Sequence, residues 1–192
     1  RAGLVAVVAV VAGLVFLPWG VRDWVVFGSP FPGQAVANAF SVSGFDIFAW
    51  NDPPTLSRYL AVGSQRLVEM RIEGLSHNFF NVLILPGVPI SVIGLIGLPW
   101  AVRGLAIRPV AIVAFTTFLV TSLVFPVATT WGTFLHAAGP AQVLLVLSAL
   151  LTLDAAIAWL GRRQGWTRPV AWLGALLGVF GSLLFSVVLL PT

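Results

Sequence analysis

The sequence predicts an all-α, polytopic integral membrane protein with five transmembrane helices and one structured outer loop. Three observations predict it. Of the 192 residues, 59% are hydrophobic and only 8% are charged, against about 25% charged in ordinary soluble domains. So few charges do not cover a water-facing surface, so hydrocarbon is the expected solvent. Five runs are apolar and long enough to cross about 30 Å at about 1.5 Å per residue. The arginines, finally, are spread unevenly over the connecting loops.

The first run, residues 2–21, ends in Pro18-Trp19 and meets the pair Arg22-Asp23. A helix boundary is expected there, with Trp19 and Trp24 at interface depth and Asp23 partly neutralising Arg22. The turn "GSPFPG" follows, its prolines and glycines fixing and freeing φ. The stretch from about 22 to 80 is too long for a structureless loop. Its part "NDPPTLSRYLAVGSQRLVEMRIEG" predicts a helix, capped by Asp52 with Pro53 in the first turn. Leu56, Tyr59, Leu60, Leu67 and Met70 fall mostly on one side, so this helix should lie on the outer membrane surface, weakened in the middle by Gly63.

The second run, 81–102, contains Pro86, Pro89 and Pro99, so its start should be kinked or unwound. The remaining runs are 109–125, the shortest, then 140–160 and 169–190. Arg1, the Arg103/Arg108 turn and the Arg162/Arg163/Arg168 turn fall on one side. The 126–139 loop has no arginine, and the 22–80 loop sets four arginines against five acids. The positive-inside rule then gives a multi-pass protein of the cell (inner or plasma) membrane, N-terminus cytoplasmic and C-terminus outside. The whole chain, 1–192, is one membrane domain, without an internal repeat. It starts at Arg1 directly before an apolar run, and is expected to be a fragment of a longer protein.

Composition excludes several functions. The chain has no cysteine, so disulfides, thiolate metal sites and cysteine nucleophiles are out. Ten arginines without a lysine give a net charge of +4, but they are scattered over the loops, and no nucleic-acid partner is expected. No phosphate-binding glycine loop, metal-ligand pair or nucleophile elbow occurs. No cofactor is evident, and a need for a divalent metal is open.

The residues that could carry chemistry concentrate on the outer side. Arg58, Arg66 and Arg71 are suited to bidentate phosphate recognition; the plainer account is a solvated helix face, and the Arg66–Glu69 spacing gives Arg66 most readily to structure. His77 and His136 fall on the same side and are candidates to touch a ligand, or interfacial residues bonded to loop carbonyls. "FDIFAWNDPP" sets Asp46 and Asp52 among Phe45, Phe48 and Trp50. That suits a stacked sugar with acid/base carboxylates; the plainer account, and the favoured one, is an aromatic plug in the interface with Asp52 as a helix cap. "TTWGTFLHAAG" offers hydroxyls, small residues and Trp131 to a headgroup, or is a tight loop with an interfacial tryptophan. Asp154 is the one acid inside a span and is expected to pair with Arg162 or Arg163.

The stretch "LPWGVRDWVVFGSPFP" resembles a recurring element of polytopic sugar transferases of the GT-C fold, the protein mannosyltransferase-like and lipid A aminoarabinose transferase-like family. The bacterial pattern is approximately Pro-Trp-x-x-Arg-Asn, several apolar residues, Phe-Gly, then Pro. Pro18, Trp19, Arg22, Phe27, Gly28 and Pro30 match it, while Asp23 departs from the usual Asn. "WGTFLHAAGP" and the span after it also resemble the last third of such proteins. The motif match covers some fifteen residues, the layout the whole chain.

The resemblance implies transfer of a sugar from a polyprenyl-phosphate carrier to an acceptor, protein, lipid or glycan, at the outer face of the bilayer. It also implies that the catalytic acid belongs to an N-terminal half this chain lacks. No residue here then inherits the catalytic role, and the chain alone should be inactive. Arg22 is carried over by the motif, in a structural role or in shaping the donor site rather than in catalysis. The expected substrate-binding set is Arg22, Arg58, Arg71, His77, Trp131 and His136. A transporter or permease subunit and a non-catalytic scaffold are the rival readings. Against the transporter, no broken pair of helices is expected.

Overall fold

The computed structural model describes residues 2–30, 36–49, 51–167, 170 and 172–189. Trp50, Arg168, the 31–33 part of the predicted turn and the ends of the fifth run lie outside the described residues. Every element among the described residues is helical. In chain order they are α1 (Ala2–Phe27), two 3₁₀ turns (Ala37–Phe40 and Gly44–Phe48), α2 (Leu56–Ala61), α3 (Ser64–Ile84), α4 (Val88–Ala101), α5 (Arg108–Leu123), the short turns α6 (Pro126–Ala128) and α7 (Phe134–Ala137), α8 (Gly139–Arg163) and α9 (Trp172–Leu189).

Among the described residues two helices, α1 and α8, are unbroken and apolar enough to cross a membrane. Counting α3 with α4, and α5 with the turn after it, as bent spans raises the number to as many as four, and α9 is a shorter apolar helix. Five independent spans were expected. The difference arises at two breaks. Pro86 and Pro89 have no N–H, so the carbonyls of Val82 and Leu85 lose their helical donors. The Ser91 hydroxyl donates to the Val82 carbonyl at 3.4 Å and the Ser182 hydroxyl to that of Pro86 at 3.4 Å. Gly87, at φ +91°, supplies the left-handed residue between the helices, and α3 and α4 meet at 108°. The second bend, 101°, falls where Pro126 opens a new turn after α5. The described residues therefore contain two broken helix pairs where none was expected.

Three boundaries also move. Arg22-Asp23 does not end α1, which runs on to Phe27. Val25, Val26 and Phe27 extend the apolar run, and a salt-bridged pair does not break a helix. Asp52 does not cap α2; the Thr55 hydroxyl does, accepting from the Arg58 N–H at 3.3 Å. The predicted surface helix is divided at Gly63, whose φ of +84° separates α2 from α3. α3 then continues through Asn81, where a new span was expected to begin. Its buried stripe is Met70, Gly74, Asn78 and Val82, one residue every turn. That stripe packs on α5 and α6, while Val68, Ile72, Phe79 and Phe80 remain exposed on the rest of the helix.

The most extensive helix contact is between α4 and α8. Gly94 and Gly97 let the backbones approach. A Cβ at Gly94 would stand 2.4 Å from the Leu145 carbonyl oxygen, and one at Gly97 would stand 1.6 Å from Thr152 Oγ1. The Ser148 hydroxyl donates across the contact to the Gly94 carbonyl at 2.7 Å. Small residues with one interhelical hydrogen bond are how helices associate where no hydrophobic driving force separates lipid from protein. Nearby, Val82, Phe134, Ala138 and Leu145 form a core, and Phe118 meets Phe134 edge to face with centroids 6.1 Å apart. By contrast α1 shares no extensive contact with another element, and its apolar side chains are exposed.

Candidate functional site

The site is assembled on a cap that covers one end of the α3–α5–α6 packing. The cap comprises the 3₁₀ turns between 37 and 48, α2 and the first half of α3. Its core is Tyr59, Met70 and Val127, with Phe40, Val42, Ile47 and Leu67 packed around them. Phe40 meets Tyr59 edge to face at 5.8 Å.

Asp46 organises the cap. Its carboxylate is buried and closes a capping box with Ser43. Oδ2 accepts the backbone N–H groups of Val42 and Ser43, each at 2.8 Å, and Oδ1 accepts from the Arg58 guanidinium. Burial by itself would push this carboxyl up. The two backbone donors, the Arg58 charge and the Ser43 hydroxyl outweigh it and hold the group below the ordinary carboxylate range. Arg58 also donates to the exposed Asp52 at 3.3 Å. The two carboxylates read as a sugar site or acid pair thus share one arginine.

The cap arginines differ in what already occupies them. Arg58 is taken by two acids. Arg66 is paired with Glu73 at 2.8 Å and with Glu69 at 3.5 Å, in keeping with its structural assignment. Arg71 has no acid partner among the described residues. It donates to the Leu67 carbonyl at 2.6 Å and to the Tyr59 hydroxyl, with its guanidinium 5.9 Å from the Tyr59 ring centroid. A half-buried guanidinium has five donors, and these two bonds leave the others, and its charge, uncompensated.

Farther along α3 the surroundings become apolar. A groove of about 340 Å³ opens between α3, α4, α5 and α8, its walls including Phe79, Val82, Phe115 and Phe118. Val82 returns to the same helical face as Arg71 and lies about 17 Å along the axis. A cation at one end and an apolar groove below it match the shape of an anionic amphiphile.

The other expected residues are placed as follows. Trp131 lies in the kinked turn after α6. Its indole rests on Gly44, where a Cβ would stand only 1.9 Å from the ring, so it joins the turn to the cap and remains largely exposed. His77 is half-buried on α3 and His136 is exposed on α7; neither imidazole makes a hydrogen bond or ion pair among the described residues. Arg22 stands on α1, paired with Asp23 at 2.8 Å and stacked on Trp19 at 5.1 Å. The structure therefore brings Arg58, Arg71 and Trp131 into one cap and leaves Arg22 on a separate helix.

Asp154 does not pair with Arg162 or Arg163. It lies at least two helical turns before them, and Arg163 stacks on Trp159 at 5.4 Å instead. The Asp154 carboxylate sits against Gly174 of α9. Among the described residues no group of three His, Asp or Glu is placed to hold a metal ion.

Sequence reasoning missed Asn78. It is fully buried and its amide donates to Ser122 at 2.8 Å, Thr129 at 3.0 Å and Thr121 at 3.3 Å, while Thr129 donates back to its carbonyl oxygen at 3.2 Å. This one side chain ties α3 to α5 and to the turn beyond α6. Its signal was an amide placed at one-turn intervals within an otherwise apolar or small stripe.

No family model matches the chain, and comparisons with curated proteins and with solved structures find no match. The resemblance of residues 17–32 to the transferase element rests on those residues alone.

Proposed function

We propose that the chain is the C-terminal membrane part of a glycosyltransferase that moves a sugar from a polyprenyl-phosphate carrier to an acceptor on the outer face of the membrane. The observation that carries this reading is the acid-free Arg71 above an apolar groove on the same face of α3. The motif around Arg22 supports it from the sequence. The phosphate would meet Arg71, and the first isoprene units would enter the groove beside Val82 and Phe79. Arg58 serves this site indirectly, by holding the cap through Asp46. Trp131 borders the cap from the turn after α6.

The test compares polyprenyl phosphate with neutral polyprenol of equal length on the purified chain in lipid nanodiscs. At least tenfold preference for the phosphate, lost in Arg71→Gln and retained in Arg66→Gln, is expected. Equal binding of the two lipids would remove the reading. A specific observation favours a second reading, a transporter subunit: the two broken helix pairs, since such breaks line substrate paths in transporters. Uptake of a solute by liposomes carrying the intact protein, lost in Gly87→Ala, which strains the bend at φ +91°, would favour it over transfer.

A further inference from the structure

Two buried oxygens in the cap have no partner among the described residues. Asn38 Oδ1 and Ser41 Oγ are enclosed without a hydrogen bond, and Ser41 is only 1% exposed. A buried polar atom left unpaired loses its hydration without replacement, so each of them opposes closure. Both belong to the first 3₁₀ turn and the residue after it, which press Phe40 onto Tyr59. Against this stands one clasp. Asp46 gathers the N–H groups of Val42 and Ser43 and ties them to Arg58 of α2. The segment therefore has an element that opens it and an element that shuts it, side by side in the cap.

We propose that residues 37–48 form a strap that opens as a unit when the Asp46–Arg58 pair breaks, that the unpartnered oxygens of Asn38 and Ser41 bias it toward opening, and that opening uncovers Tyr59 and Arg71. Segments with such a low local stability open far more often than the whole protein unfolds. The inference concerns the motion itself and does not depend on glycosyl transfer or on any particular lipid.

Amide hydrogen exchange on the whole chain in nanodiscs tests it. Ser41→Ala removes one unpaired oxygen and is expected to slow exchange of residues 38–48 about five- to tenfold. Arg58→Gln is expected to speed it at least tenfold, with Arg58→Lys restoring part of the protection. Peptides spanning the α4–α8 contact should not change in any variant, which separates opening of the strap from loss of the fold. The chain has no cysteine, so Ser41→Cys gives a second readout, maleimide labelling that accelerates when Arg58→Gln is added. Unchanged or faster exchange in Ser41→Ala overturns the bias. Unchanged exchange in Arg58→Gln overturns the clasp, and a response confined to either half of 38–48 overturns opening as a unit.

Discussion

Where α4 crosses α8, the helices touch through two glycines, a serine and a threonine. The cap is held instead by a buried carboxylate, an arginine and an aromatic pair. The first contact uses almost no side chain and admits no change of volume. The second uses long side chains and charge. Close backbone approach and a short Ser148–Gly94 hydrogen bond join apolar helices without desolvating charge. In the cap, Arg58 stays partly exposed while it neutralises the buried Asp46. A close-packed body and a charge-clasped cap are two ways of joining helices within one chain.

The sharpest way to break this comparison is Gly94→Val. Its new carbons would collide with the Leu145 backbone, which cannot rotate away, so the body should lose about 3 kcal/mol. Thermal unfolding in detergent should fall markedly, with cap and body lost together. Retention of the wild-type melting temperature would mean that the close crossing does not hold the body. A smaller loss, about 2 kcal/mol, is expected for Asn78→Leu, which strands the buried hydroxyls of Ser122 and Thr129. Because Asn78 joins the body to the base of the cap, exchange protection should fall in both α3 and α5. A loss confined to α3 would show that the network is not shared.

The smallest effect is the one that depends on pH. The Asp46 pKa in the folded protein lies below its ordinary value of about 3.8. Its contribution to cap stability is therefore complete above that value and disappears as the pH falls through the folded value. Loosening of the cap, followed by exchange or by near-ultraviolet dichroism, should appear only below about pH 3.8, while the body stays folded. Asp46→Asn should cost about 1 kcal/mol at neutral pH and remove the acid transition from the cap. A transition that survives in Asp46→Asn would assign it to another group.

The helical class and the main apolar elements were legible in the sequence because composition and run length reflect the solvent directly. The α8 and α5 boundaries fall within a few residues of those expected. What hydropathy did not separate is a span from a bend. Residues 64–84 read as a polar helix followed by an apolar one, although both are one continuous α3, because a helix crosses from polar to apolar surroundings without breaking. The Pro86/Pro89 pair was read correctly as a disturbance, but the 108° turn depends on which neighbours satisfy the freed carbonyls. Ser91 does so for the Val82 carbonyl from nine residues away, and Ser182 of α9 bonds the Pro86 carbonyl beside it. In the site, Arg66 was assigned from local spacing alone. The clasp of Asp46 by Arg58 spans twelve residues and an intervening turn, and no local pattern encodes it. Asn78 was passed over because a single amide in a helix is ambiguous until the hydroxyls of α5 and the following turn converge on it.

The continuity of α3 has a mechanical consequence. The helix is a rod about 30 Å long, with the cap at one end and the Pro86–Gly87 bend at the other. The hydroxyl-bound amide of Asn78 pins it between them, nearer the bend. Its buried stripe, from Met70 through Gly74 and Asn78 to Val82, grips it on both sides of that amide. A rod gripped along its length keeps the cap and the bend at a fixed spacing, and Ser182 of α9 meets it at the far end through the Pro86 carbonyl.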